Sequence, residues 1–310
     1  MQKRNTGNAN ILFLFIITIF LFGCRTTPSA AVDRELETKI EAIIAPKKAR
    51  IGVAVVWNHR TIAAVNDDSG YPLMSVMKFH QALAVADALS HSGTSLDTML
   101  RIERDDLKPD TWSPLRDRYP SGVNELTVSE LLKYTLEQSD NNACDILFRH
   151  FGGPGAVDRY IRSLGFDRFA IAVTEEQMHT DLGCCYENRS SPSDVALLLD
   201  RFVHRAPVSP EYRDFIARTM LACTTGSDRL PAGLKDTGAR VGHKTGTGDR
   251  NERGEQIGCN DAGFVRMPDG DCYTIVVLIR DSAESDADNA RTIAAISETV
   301  YRHIADRKKM

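Results

Sequence analysis

The 310-residue sequence predicts an α/β protein of the α+β layered kind: an antiparallel five-stranded sheet flanked by N- and C-terminal helices, with an all-helical domain inserted. Three observations predict it. Strand-like apolar runs stand near both ends of the chain, at Arg50–Trp57 and Thr61–Val65, then at Arg240–Thr245, Ala262–Met267 and Tyr273–Arg280. Helical pattern dominates for about 150 residues between them. Outside the strands, the segments Val32–Ala45 and Asp286–Ile304 carry apolar residues at helical spacing, so each has one face to bury against the sheet.

Each element has a local reason. Asn58-His59-Arg60 separates the first two runs as a tight hairpin turn, and Pro268-Asp269-Gly270 does the same for the last two. The Ala- and Leu-rich stretch Ser75–Ser90 reads as a helix closed near Gly93. Thr127 opens another with Glu130 three residues on, a capping box. Asn141–Phe151 and Pro154–Leu164 each end at a glycine. Ser191-Pro192 and Ser209-Pro210 place a cap residue before a first-turn proline and mark two further helix starts. Residues 32–68 and 222–310 then make the sheet domain, and 69–221 the all-helical one.

Lys3 and Arg4 precede an apolar run from Ile11 to Phe22, too short to span a bilayer comfortably but of the length of a signal-peptide core. Gly23-Cys24 ends that run and resembles the lipobox of bacterial lipoproteins, which implies lipidation of Cys24 after removal of residues 1–23; Phe22 is bulkier than that pattern usually allows, and plain secretion with cleavage nearby is the alternative. Residues 24–31 form a short linker. The expected location is outside the cytoplasm, in the periplasm and anchored to the outer membrane, since Arg25 rather than Asp follows the cysteine. The net charge of −4 becomes −6 once Lys3 and Arg4 are removed. With no run of five basic residues, nucleic acid is an unexpected partner. Apolar content of 42% and charged content of 26% are those of an ordinary globular chain. Cys144, Cys184, Cys185, Cys223, Cys259 and Cys272 remain in a compartment that permits disulfides, and without a Cys-x-x-Cys spacing there is no zinc or thioredoxin-like pattern.

Three motifs stand in order: Ser75-Val76-Met77-Lys78, Ser139-Asp140-Asn141 and Lys244-Thr245-Gly246. Any one can arise by chance or serve as a cap, a solvated lysine or a turn glycine. Together they describe acylation chemistry. Ser75 at a helix start has unpaired N–H groups and the positive end of the dipole nearby, which favours an oxygen that becomes anionic. Lys78, one turn on, shares its helix face and can take the hydroxyl proton if burial or a nearby charge such as Lys244 lowers its pKa. On a turn between helices, Ser139 can relay a proton and Asn141 can bind a substrate amide. At a strand end, Gly246 admits close backbone approach while Lys244, Thr245 and Thr247 can hold a carboxylate.

These motifs are those of class A β-lactamases and penicillin-binding proteins. From about Val32 to Ile304 the chain resembles the class A serine β-lactamases. It looks closest to their PER-like and CfxA-like extended-spectrum branch through Ser75-Val76-Met77-Lys78-Phe79-His80, Glu175-Glu176-Gln177-Met178-His179 and His243-Lys244-Thr245-Gly246-Thr247. The resemblance implies hydrolysis of the β-lactam amide bond of penicillins and cephalosporins through an acyl-serine, resistance to these drugs, no cofactor or metal, and a monomer. It implies that Glu175 activates the deacylating water, with Glu176 as the competing assignment in a polar, helix-poor loop. Arg229 would support carboxylate binding, and Trp112 would form the aromatic wall of the cleft.

The chain also departs from that family. An arginine–aspartate pair that clamps the glutamate's loop in many relatives falls here on Val173 and Asn188, so no ion pair can form. Position 145 is Asp where Asn is usual, and 179 is His where Asn often helps hold water. A loop held differently would leave a wider cleft, admitting bulky oxyimino-cephalosporins. The competing functions are a peptidoglycan DD-peptidase, which lacks the glutamate, and a β-lactam sensor that stays acylated.

Overall fold

The computed structural model describes residues 32–205 and 207–309, together with Gln2. The predicted signal segment 1–23, Cys24 and the linker to residue 31 lie outside the described residues. Val32–Met310 makes one compact unit. Its centre is a five-stranded antiparallel sheet of β1 (Arg50–Trp57), β2 (Arg60–Val65), β3 (Arg240–Thr247), β4 (Gln256–Arg266) and β5 (Cys272–Ser282). In space the order is β2-β1-β5-β4-β3. Val53 of β1 lies opposite Val277 of β5, so the two ends of the chain pair at the middle of the sheet.

Both faces of the sheet are covered, which explains why Ile51–Val56 and Tyr273–Leu278 are continuously buried instead of alternating. One face packs on α1 (Arg34–Ile44) and α9 (Asp286–Arg307), with Leu36, Ile40, Ile293, Ile296 and Val300 in the core. Asp33 caps α1 and receives His303 Nε2 at 2.6 Å and Arg307 at 2.7 Å, tying the two terminal helices together. On the other face lie α2 (Met77–Ser92), α3 (Val128–Glu137), α4 (Asn141–His150), α5 (Gly153–Ser163), α6 (Glu175–Thr180), α7 (Pro192–Arg205) and α8 (Pro210–Leu221). Gly93 ends α2 at φ 67°, and Thr127 with Glu130 caps α3, both as the sequence predicts.

Two expectations need correction. The fourth strand does not begin at Ala262 but at Gln256, and Gly258, Asn260 and Asp261 are inside it and buried. Polar residues in a strand read as loop, yet here each has a buried partner: Asn260 Nδ2 donates to Pro72 O at 2.7 Å, and Asp261 takes His243 Nδ1 at 2.8 Å. The segment bearing Glu175 is not helix-poor either, since α6 begins on Glu175. Its signal is Thr174-Glu175-Glu176-Gln177, a capping box in which Gln177 N donates to Thr174 Oγ1 at 3.2 Å and Thr174 N to Gln177 Oε1 at 2.9 Å. The six described cysteines are all free thiols. No helix among the described residues is long and apolar enough to cross a membrane.

Candidate active site

Ser75 sits in a single 3-10 turn, Met74–Val76, that runs directly into α2. Met74 before it is in the left-handed region at φ 47°, as is Ser139 at φ 61°. Two non-glycine residues held there at one site are a cost that the surrounding packing must offset. β3 lies against the Ser75 turn, and a Cβ on Gly246 would stand 2.6 Å from Leu73 O and 3.0 Å from Met74 Cβ. Only glycine permits that approach.

Around Ser75 the three motifs converge. Lys78 Nζ lies 3.0 Å from Ser75 Oγ, 2.8 Å from Ser139 O, 2.7 Å from Asn141 Oδ1 and 2.9 Å from Glu175 Oε1. Ser75 Oγ donates to Glu175 Oε1 at 3.2 Å. Lys244 Nζ donates to Ser139 Oγ at 2.9 Å, so the second serine stands between the two lysines. Both lysines are fully buried. Burial, with the Lys78 charge second, pulls Lys244 down to about 7 from the usual lysine value.

The two neighbouring glutamates face opposite ways. Glu175 is buried and turned toward Ser75 and Lys78, whereas Glu176 is exposed and pairs with Lys108 at 2.9 Å. Asp145 holds them in place by accepting Glu175 N at 2.9 Å and Glu176 N at 2.8 Å, which caps the start of α6. Burial foremost, then the charge of Glu175, raises Asp145 to about 7. The expected loss of the loop clamp has an unexpected answer. Asn188 is fully buried, accepts Ala172 N at 2.8 Å and Val173 N at 3.1 Å, and donates to Val173 O at 2.9 Å. An amide bonded to backbone replaces the ion pair.

The remaining predicted residues stand at the end of β3 and beside the start of α4. Arg229 donates to Gly246 O at 3.2 Å, Asn260 O at 2.8 Å and Thr247 Oγ1 at 2.7 Å. Thr245 Oγ1 is 2.6 Å from Thr225 Oγ1. Trp112 is 62% exposed; its indole Nε1 donates to Gln138 O at 2.9 Å and its carbonyl accepts Asn141 N at 3.0 Å, so the residue is tied down while its ring faces solvent at the rim. A cleft of about 290 Å³ is lined by Trp112, Asn141, Glu175, His179 and Thr247.

Sequence reasoning missed several supports. Thr111 Oγ1 receives Asn141 Nδ2 at 2.8 Å and orients that amide. Asp140, the middle residue of its motif, points away from the cleft: buried, it takes N–H groups of Ala143 at 2.8 Å and Leu115 at 2.6 Å and the Ser113 hydroxyl at 3.0 Å. His243, just before Lys244, is held up at about 10 by Asp261 against the effect of burial.

The model of the beta-lactamase enzyme family matches residues 35–304. A beta-lactamase of Bacteroides uniformis is 40% identical over 289 residues, 93% of this chain and 97% of that protein. The extended-spectrum beta-lactamase PER-1 of Pseudomonas aeruginosa is 33% identical over 287 residues, 92% of each. Among solved structures, a class A beta-lactamase from Bacteroides cellulosilyticus matches with a TM-score of 0.85 and 41% identity, covering 88% of this chain and 98% of that one. With this breadth of match over the acylation geometry just described, the chain belongs to the beta-lactamase enzyme family, among its class A serine members.

Proposed function

We propose that Ser75 opens the β-lactam ring and that Glu175 frees the enzyme for the next turnover. The observation that carries this is the position of Ser75 Oγ, 3.0 Å from Lys78 Nζ and 3.2 Å from Glu175 Oε1. Ser75 Oγ attacks the lactam carbonyl carbon and its proton leaves to Glu175 or Lys78, the groups within reach. Backbone N–H groups of Ser75 and Thr247 receive the developing oxyanion. As the carbon–nitrogen bond breaks, that same Ser75 proton passes by way of Lys78 and Ser139, which stands between Lys78 and Lys244, to the ring nitrogen, and Glu175 is left ionised. Glu175 then takes a proton from water, whose oxygen attacks the acyl carbon, and Ser75 leaves with its proton restored.

Asn141 binds the substrate's side-chain amide. Lys244, Thr245 and Thr247 hold its carboxylate, backed by Arg229, with Gly246 admitting the close approach and Trp112 walling the cleft. Penicillins and cephalosporins are the proposed substrates, and resistance to them the consequence. The amide-held loop supports acceptance of oxyimino-cephalosporins; hydrolysis of penicillins with none of such cephalosporins would exclude that breadth. The test of the central reading is Glu175→Gln mixed with a cephalosporin. Steady turnover by the wild type and a trapped covalent adduct in the variant, with kcat lower by about 10³-fold or more, is expected. Adduct trapped in both would favour a sensor or peptidase.

We further read residues 69–221 as a helical domain inserted between the two parts, 32–68 and 222–310, of the sheet domain. The mature protein is a monomer exported to the periplasm and tethered to the outer membrane through lipid on Cys24. Labelled palmitate entering the wild type and not Cys24→Ser is the expected result; equal labelling of both would remove the tether.

A further inference from the structure

Far from the acylation centre, the turn between β1 and β2 meets the last turn of α7. His59 Nδ1 stands 3.1 Å from Asp200 Oδ2, and His204 Nε2 stands 3.7 Å from Asp200 Oδ1. The three potential ligand atoms all lie within 4.8 Å of one another. The two imidazole rings meet edge to face with centroids 4.6 Å apart. The sheet order places β5 and β4 between β1 and β3, so this cluster is at the opposite side of the sheet from Lys244.

We propose that His59, Asp200 and His204 bind one divalent ion of the zinc type, pinning the β1–β2 turn to helix α7. The first support is Asp200 itself. It is only 7% exposed, and among the described residues its carboxylate has no side-chain partner except the two imidazoles. A carboxylate removed from water needs a compensating cation or a full set of hydrogen bonds, and a doubly charged ion supplies the former. The second support is ligand placement. Asp200 and His204 are one helical turn apart on α7 and face the same way, a spacing that lets both reach one ion.

His59 approaches from a separate element whose backbone fixes it. Asn58 and His59 both adopt left-handed conformations, φ 51° and 60°, as a tight two-residue hairpin turn requires. The imidazole is thereby aimed across at α7 by a rigid turn and not by a mobile loop.

The donor chemistry selects the ion. Two imidazoles and one carboxylate suit zinc, cobalt, nickel or copper, whereas magnesium and calcium prefer all-oxygen sets. Around an ion with bonds of about 2.1 Å, tetrahedral ligand atoms sit roughly 3.4 Å apart. His59 Nδ1 at 3.1 Å from Asp200 Oδ2 and His204 Nε2 at 3.7 Å from Asp200 Oδ1 lie near that spacing, and with all three ligand atoms within 4.8 Å of one another, side-chain rotation brings them onto one ion. His59 and His204 are exposed, which leaves the fourth position open to water. The bound ion is a staple between the sheet edge and a helix, independent of β-lactam hydrolysis.

The test uses the purified full chain after treatment with EDTA. Calorimetric titration with zinc should show one saturable equivalent, and one equivalent of cobalt(II) should give the intense visible bands of a low-coordinate site. The melting temperature should rise by about 5 °C at a zinc concentration a hundredfold above Kd. His204→Gln and His59→Asn, the latter chosen because Asn tolerates the left-handed turn, should lose the equivalent and the shift while hydrolysing β-lactams as before. Absence of a saturable equivalent in the wild type overturns the proposal. So does wild-type binding in both variants, which would place the ion on other exposed histidines such as His91 or His179. Should a variant fail to fold, the wild-type cobalt spectrum decides alone: octahedral, weak bands count against the site.

Discussion

Asn188 grips Val173 on both sides of its peptide backbone, accepting the N–H at 3.1 Å and donating to the carbonyl at 2.9 Å. These are the two positions at which the arginine–aspartate clamp is absent. The Glu175 loop is therefore fastened to backbone, in a fully buried setting where each lost hydrogen bond leaves an unpaired polar group. Asn188→Ala should lower stability by roughly 2–4 kcal/mol, measured by urea unfolding. Deacylation should slow more than acylation, because Glu175 follows the loop while Ser75 does not. Equal slowing of both steps in single-turnover kinetics would detach Asn188 from Glu175.

Asp145 offers a pH test of the same loop. Its folded value of about 7 lies above the unfolded 3.8, chiefly because it is removed from water and next to Glu175. Between about pH 4 and 7 the folded protein thus holds a proton that the unfolded chain has released, so this group's contribution to stability declines as pH rises through that window. Asp145→Asn deletes that slope. Relative to the variant, the wild type should lose stability between pH 5 and 7.5, read from urea midpoints at both values. A difference that stays constant with pH would mean that the carboxylate titrates normally.

Arg229 bridges carbonyls on β3 and β4 and the Thr247 hydroxyl, three contacts in a planar fork. Arg229→Ala should raise KM for a carboxylate-bearing cephalosporin about tenfold or more with kcat changed far less, since a charged hydrogen-bonding group is lost from binding. Arg229→Lys should not restore KM, because a point charge cannot span the three acceptors. Full rescue by lysine would reduce the role to charge alone.

Much of this was legible because local chemistry and fold agree. The hairpin at Asn58-His59 carries residues that tolerate the left-handed region, and Thr127 with Glu130 announces a helix start. The converging motifs were readable for the same reason: a helix turn, an interhelical turn and a strand end each have recognisable residues. What escaped was polar and buried. Gln256, Asn260 and Asp261 look like loop residues until Asn289 is seen as the partner of the first, Pro72 and Leu73 of the second and His243 of the third, and all of these lie well away in sequence. In the sequence Asn188 reads as the loss of a charge, because its gain of backbone bonds exists only in three dimensions.

The pairing of β1 with β5 has a consequence for the order of events in the cell. Val53 lies in the first of the five strands and its partner Val277 in the last of them, more than 200 residues later. The sheet has no middle until β5 is made, so the early hairpin waits through the making of every intervening helix. Such remote pairing slows folding. Under the export proposed above, that delay would be an asset: the topology would keep the precursor threadable until β5 has emerged.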